Sequence, residues 1–173
     1  MGSGTGTARA IAQYGEPVLH RPCAPVTEFD ESLKELVADM FASMAAANGV
    51  GLAANQIGVD ARVFVVDCPD ASDEHVVTHI VNPQLRLPPA PRELAVEDEG
   101  CLSVPGQYAE VGRAVTAVVT GFDTDGNEIT IEGTGMLARC LQHEVDHLDG
   151  LVYVDRLPSR QRRKILGAAG LVP

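Results

Sequence analysis

The densest chemistry in this 173-residue chain lies in Gln142-His143-Glu144-Val145-Asp146-His147. The run contains H-E-x-x-H, in which two imidazoles one helical turn apart can reach a single cation. At 100° per residue, His143, Glu144 and His147 share an arc with Met136, Leu137, Cys140, Leu141 and Leu148, while Arg139, Gln142, Asp146 and Asp149 fall on the other side. Ionisable groups on an apolar face are costly to bury unless they are paired or bind a metal. The pattern predicts that His143 and His147 hold a metal and that Glu144 handles the proton of a water on it. Two hydrogen-bonded core histidines are the plainer alternative, and the position of the motif on the apolar stripe argues against it.

The third ligand decides the class of site. The longer pattern H-E-x-x-H-x-x-G-x-x-H is met at Gly150 but fails at Tyr153, where its last histidine should stand. Downstream of His147 the acids are Asp149 and Asp155, too close to the motif to come from a separate helix, so a ligand is expected upstream. Cys140 shares the helix face but lies seven residues from His147, about 10.5 Å along the axis. It cannot join both histidines at metal–ligand distances of about 2.0 to 2.3 Å and reads as a small core hydrophobe. Cys23 and Cys68, each beside proline, also read as structural. Cys101 differs, because it follows a glycine in Glu99-Gly100-Cys101-Leu102-Ser103 and its thiolate, among acids, gains most from a cation. Cys101, His143 and His147 make three ligands with one position left for water, as in a catalytic metal site.

Gly49-Val50-Gly51-Leu52-Ala53-Ala54 fits the dinucleotide fingerprint G-x-G-x-x-A, but it follows a helix and precedes a strand, the reverse of the context that fingerprint needs. Here the glycines more simply let a strand pass close to a ligand and carry Gln56 inward, where its amide could donate to a developing oxyanion.

The rest of the chain must position these groups. With 45% hydrophobic residues, the composition predicts a globular domain spanning residues 11–173, behind a flexible N-terminus at 1–10. Aromatics are 4%, without Trp, and 13 basic residues face 24 acidic ones for a net charge of −11, so DNA binding and base stacking are excluded as the main task. The sequence holds no apolar run of about 18 residues, which predicts no membrane contact and a cytoplasmic location. Four irregularly spaced cysteines predict no disulfide framework. Prolines 17, 22 and 25 predict an extended arm. Apolar residues from Leu33 to Met44 at three- and four-residue intervals predict a helix from Asp30 to Asn48-Gly49. Strands are expected at 62–67, 76–82, 114–123 and 128–132, a second helix at about 135–149, and a third at about 159–166. Clustered strands between terminal helices predict an α+β fold with a mainly antiparallel sheet.

The three segments Gly49 to Gln56, Glu99 to Ser103 and Gln142 to Leu148, in this order and at these spacings, resemble the three motifs of the peptide deformylases. The resemblance extends from Ile11 to the third helix. It implies an α+β fold in which mainly antiparallel sheets wrap a central metal-binding helix, and an enzyme that removes the formyl group from N-formylmethionyl nascent chains. Carried over by position, the ligands are Cys101, His143 and His147, the general acid/base is Glu144, and the oxyanion donors are the Gln56 amide and the Leu102 backbone N–H. Val50, Gly51 and Cys140 would bind the methionine. The resemblance implies Fe(II) in the cell, with zinc, nickel or cobalt able to take its place. Arg160, Arg162, Arg163 and Lys164 form a basic cluster on an acidic chain, open to two readings: a solvated helix face or a ribosome contact.

Overall fold

The structure, a computed structural model, describes residues 6–171. Helix α1 (Glu31–Ala46) starts at Asp30, whose carboxylate accepts a hydrogen bond from Leu33 N at 3.2 Å, satisfying one of the orphan donors of the first turn. Strands β1 (Gly51–Ala53), β2 (Val63–Pro69) and β3 (His75–Arg86) follow. Next comes the ribbon of β4 (Leu94–Cys101) and β5 (Val104–Ala114), then β6 (Thr116–Phe122), β7 (Glu128–Thr134), α2 (Gly135–Leu148) and α3 (Ser159–Ala168). The five-stranded sheet has the order β1-β2-β3-β6-β7 and is antiparallel throughout; β4 and β5 pair only with each other.

Because side chains alternate across a strand, β2 can serve two helices at once. Val63 and Val65 face α1, against Val37, Met40 and Met44, while Phe64, Val66 and Cys68 face α2, against Leu137, Leu141 and Val145. Leu137, Leu141 and Leu148 are fully buried. Each contributes about 1.5 to 3 kcal/mol of apolar burial to fixing α2, the central helix of an α+β fold. A third cluster packs Val104, Ala109 and Val111 of the ribbon on Val152–Val154 and on Ile165 and Leu166 of α3.

Several expectations are corrected. The face of α2 opposite the ligand arc, with Arg139, Gln142 and Asp146, is buried as well, because the ribbon covers it and supplies partners. Met136, assigned to the inward arc, is half exposed at the first turn. Strands β4 and β5 were not anticipated, since the ribbon is rich in charge. The terminus expected to be free through residue 10 is tied down over part of that length: Thr7 N and the Arg9 side chain donate to the Asp39 carboxylate. Residues 1–5 lie outside the described residues. The proline-rich arm contains a 3₁₀ turn, Pro17–His20, and is stitched to the body, with Ala12 N donating to Gln56 O at 2.7 Å and Tyr14 N to Ser103 O at 3.0 Å.

The approach of α2 to the sheet depends on Gly133 in β7, where a Cβ would lie 2.8 Å from Leu141 Cδ1 and 3.1 Å from the Ala138 backbone. Gly133→Ala should therefore destabilise the fold by about 1 to 2 kcal/mol. Gly167→Ala, in α3 with open space around it, should stabilise by about 0.5 kcal/mol. Urea unfolding at fixed metal loading measures both.

Candidate metal centre

The ribbon, α2 and the 3₁₀ turn after β1 meet at one point. The β4–β5 register shifts between Gly100 and Cys101, so the chain turns sharply there and presents the Cys101 thiol to α2. Cys101 Sγ lies 3.3 Å from His147 Nε2, which lies 3.1 Å from His143 Nε2, and the three ligand atoms fall within 4.8 Å of one another. Tetrahedral ligands at about 2.0 to 2.3 Å from a metal stand about 3.3 to 3.8 Å apart, so the trio fits one ion with small adjustments. His143 Nδ1 pairs with Glu99 Oε2 at 2.7 Å, which leaves the Nε2 lone pair facing the other ligands. Burial holds His147 well below the usual imidazole range, and hence neutral.

Glu144 stands beside this trio on the same face of α2. Its Oε1 is buried without a hydrogen-bond partner, and burial pushes its carboxyl up to about 7. A cation beside it would pull that value back down. Gly51 makes room for the carboxylate: a Cβ there would lie 2.6 Å from Glu144 Oε2 and 2.7 Å from Cys140 Sγ. Cys140 stays out of the trio, its thiol directed at Val50 O at 3.7 Å, and all four cysteines are free thiols.

Gln56 sits on the 3₁₀ turn Ala54–Ile57, almost fully buried, with Nε2 3.6 Å from Cys101 Sγ. Gln56, Cys101, Leu102, His143 and Glu144 line a cavity of about 590 Å³. Val50, Gly51 and Cys140 form part of its wall, and Met136 and Tyr108 stand at its edge as exposed apolar groups.

Sequence reasoning missed the charged frame behind the ligands. Arg113 donates to both oxygens of Glu99, at 3.0 and 2.6 Å, and to Asp146 at 2.7 Å. Arg139 reaches Glu99 and the carbonyls of Val111 and Ala95, and Arg156 forks onto Asp146. Burial alone would raise the Glu99 carboxyl, but hydrogen bonds from His143 and Arg113 outweigh it and hold the group ionised, well below the usual carboxylate range. One signal was present in the sequence: Arg113 falls in the same alternation as the inward residues Ala109 and Val111, so a strand there would bury an arginine that needs acids.

Comparison with known proteins agrees with this geometry. The polypeptide deformylase family matches residues 8–163. Peptide deformylase 2 of Streptomyces avermitilis is 54% identical over 168 residues, covering 97% of this chain and 89% of that protein. The crystal structure of peptide deformylase from Ehrlichia chaffeensis superposes with a TM-score of 0.87 at 34% identity, over 95% of this chain and 96% of that one. One from Legionella pneumophila gives 0.85 at 40% identity, over 95% and 94%. A further Ehrlichia chaffeensis structure holds actinonin, at 35% identity, a TM-score of 0.87 and coverage of 94% and 95%. The match runs through both the sequence and the folded backbone, and the chain belongs to the polypeptide deformylase family.

Proposed function

We propose that residues 11–173 act as one catalytic domain in which Cys101, His143 and His147 hold a divalent cation, and Glu144 serves as general acid and base in removing the formyl group from N-formylmethionyl nascent chains. The observation that carries this reading is the convergence of three ligand atoms beside an unpaired Glu144 oxygen at the wall of a cavity. When bound, the cation supplies Lewis acidity, bringing the pKa of water toward about 7 and polarising the formyl carbonyl. Glu144 accepts a proton from the attacking water and returns it to the amine nitrogen as the C–N bond breaks, so the products are formate and a free N-terminus. Gln56 Nε2–H and Leu102 N–H donate to the carbonyl oxygen as it gains charge, each worth about 3 kcal/mol. Val50, Gly51 and Cys140 wall the slot for the methionine side chain.

The family resemblance implies Fe(II) as the resident ion, and the mixed sulfur and nitrogen donor set accepts iron, zinc, nickel or cobalt. No helix among the described residues is long and apolar enough to cross a membrane. Formylated chains leave the ribosome in the cytoplasm, where we place the enzyme. Arg160, Arg163 and Lys164 are exposed on α3 and Arg162 half so, while Ile165 and Leu166 anchor the helix from below. This basic face, on a chain of net charge −11, suits contact with ribosomal RNA.

Glu144→Gln keeps size and removes the base, so kcat should fall by at least about 10² to 10⁴ while metal content and inhibitor affinity stay parental. Metal analysis after dialysis should show Cys101→Ala depleted and Cys140→Ala fully loaded. The Fe(II) form should lose activity to peroxide through oxidation of iron or sulfur, and the zinc and nickel forms should persist. Neutralising Arg160, Arg162, Arg163 and Lys164 should weaken ribosome co-sedimentation at low salt without altering turnover of a formylated tripeptide.

A further inference from the structure

We infer that Ser103 is a positioning residue for Gln56, its hydroxyl anchoring the Gln56 amide nitrogen beside the metal ligands. The inference rests on the reading of Gln56 as an oxyanion donor. An amide can serve that role only if its nitrogen, not its oxygen, points into the site. Ala53 N, which can only donate, sets the orientation by reaching Gln56 Oε1 at 3.0 Å, and Nε2, directed the other way, donates to Ser103 Oγ at 3.1 Å. With one of its two hydrogens on Ser103, Nε2 directs the other at Cys101 Sγ, 3.6 Å away, on the side of the site where a substrate oxygen would meet it. Both residues are fully or almost fully buried, so water cannot easily take over the role of the hydroxyl.

The remaining ties of Ser103 are made by its backbone. Its N–H approaches Cys101 Sγ at 3.4 Å and its carbonyl accepts from Tyr14 N at 3.0 Å. Ser103→Ala keeps both and removes only the acceptor for Gln56. The glutamine then retains a single side-chain anchor at Ala53 N, and its terminal torsion, broad by nature, is released.

A double-mutant cycle on kcat, at equal metal loading and with a formylated tripeptide as substrate, tests this. Gln56→Ala should slow turnover by about 10² to 10³. Ser103→Ala should slow it about tenfold, with KM within about twofold of the parent, as expected for misplacement of a group that acts in the transition state. Added to Gln56→Ala, the serine change should cost less than about twofold, because its route of action is gone. Metal stoichiometry and the absorption spectrum of the cobalt-loaded protein should be parental in Ser103→Ala, and Ser103→Thr should restore most of the rate. Parental turnover in Ser103→Ala, loss of metal, or an equal cost in both backgrounds would overturn the inference. Normal turnover in Gln56→Ala would instead remove the oxyanion reading beneath it.

Discussion

The hydrogen bond between His143 Nδ1 and Glu99 Oε2 ties the separate parts of the molecule together. It fixes the imidazole tautomer, so the Nε2 lone pair faces Cys101 and His147, and it joins the ribbon to the central helix. Glu99 can do this only as a carboxylate, and an ionised carboxylate in the interior is costly unless neighbouring cations and donors compensate. Arg113 and Arg139 provide that compensation, and Arg113 is balanced in turn by Asp146, which Arg156 grips from the segment after α2. The polar side of α2 is therefore a buried lattice of alternating charge. Removing one member would leave its partner uncompensated, so the ligands and their frame behave as a unit.

The apolar side of α2 does different work. Packing of Leu137, Leu141 and Val145 on Phe64, Val66 and Ile80 sets how deeply the helix lies in the sheet, while the charged frame sets its rotation toward the ribbon. Glu144 belongs to neither set. It has no partner for Oε1 and sits beneath Gly51, where the lack of a side chain leaves space. A carboxylate so placed suits the proton transfer proposed for it and adds little to stability.

Much of the centre was legible in the sequence, because local spacing encodes it. The one-turn separation of His143 and His147 and their phase with Leu141 and Leu148 require no tertiary knowledge, and elimination among four cysteines led to Cys101. The helices were equally visible from their 3.6-residue periodicity. The ribbon was not, because Glu97, Asp98, Glu110 and Arg113 break the apolar alternation that signals a strand, and their pairing depends on a register that emerges only in the fold. The burial of Arg139, Gln142 and Asp146 was not legible for the same reason: a polar stripe on a helix looks the same in sequence whether water or a buried arginine faces it. The contacts of Ser103 with Gln56 span 47 positions and leave no local trace.

The most direct test of the proposed centre is X-ray absorption of the loaded protein at the edge of its metal. A Cys-His-His site should give one sulfur scatterer at about 2.3 Å and two imidazole nitrogens at about 2.0 to 2.1 Å, with the remaining light-atom position contributed by water. Two sulfurs, which would bring Cys140 or Cys68 into the shell, or a shell of nitrogen and oxygen alone, which would leave Cys101 out, would contradict the ligand set on which the mechanism stands.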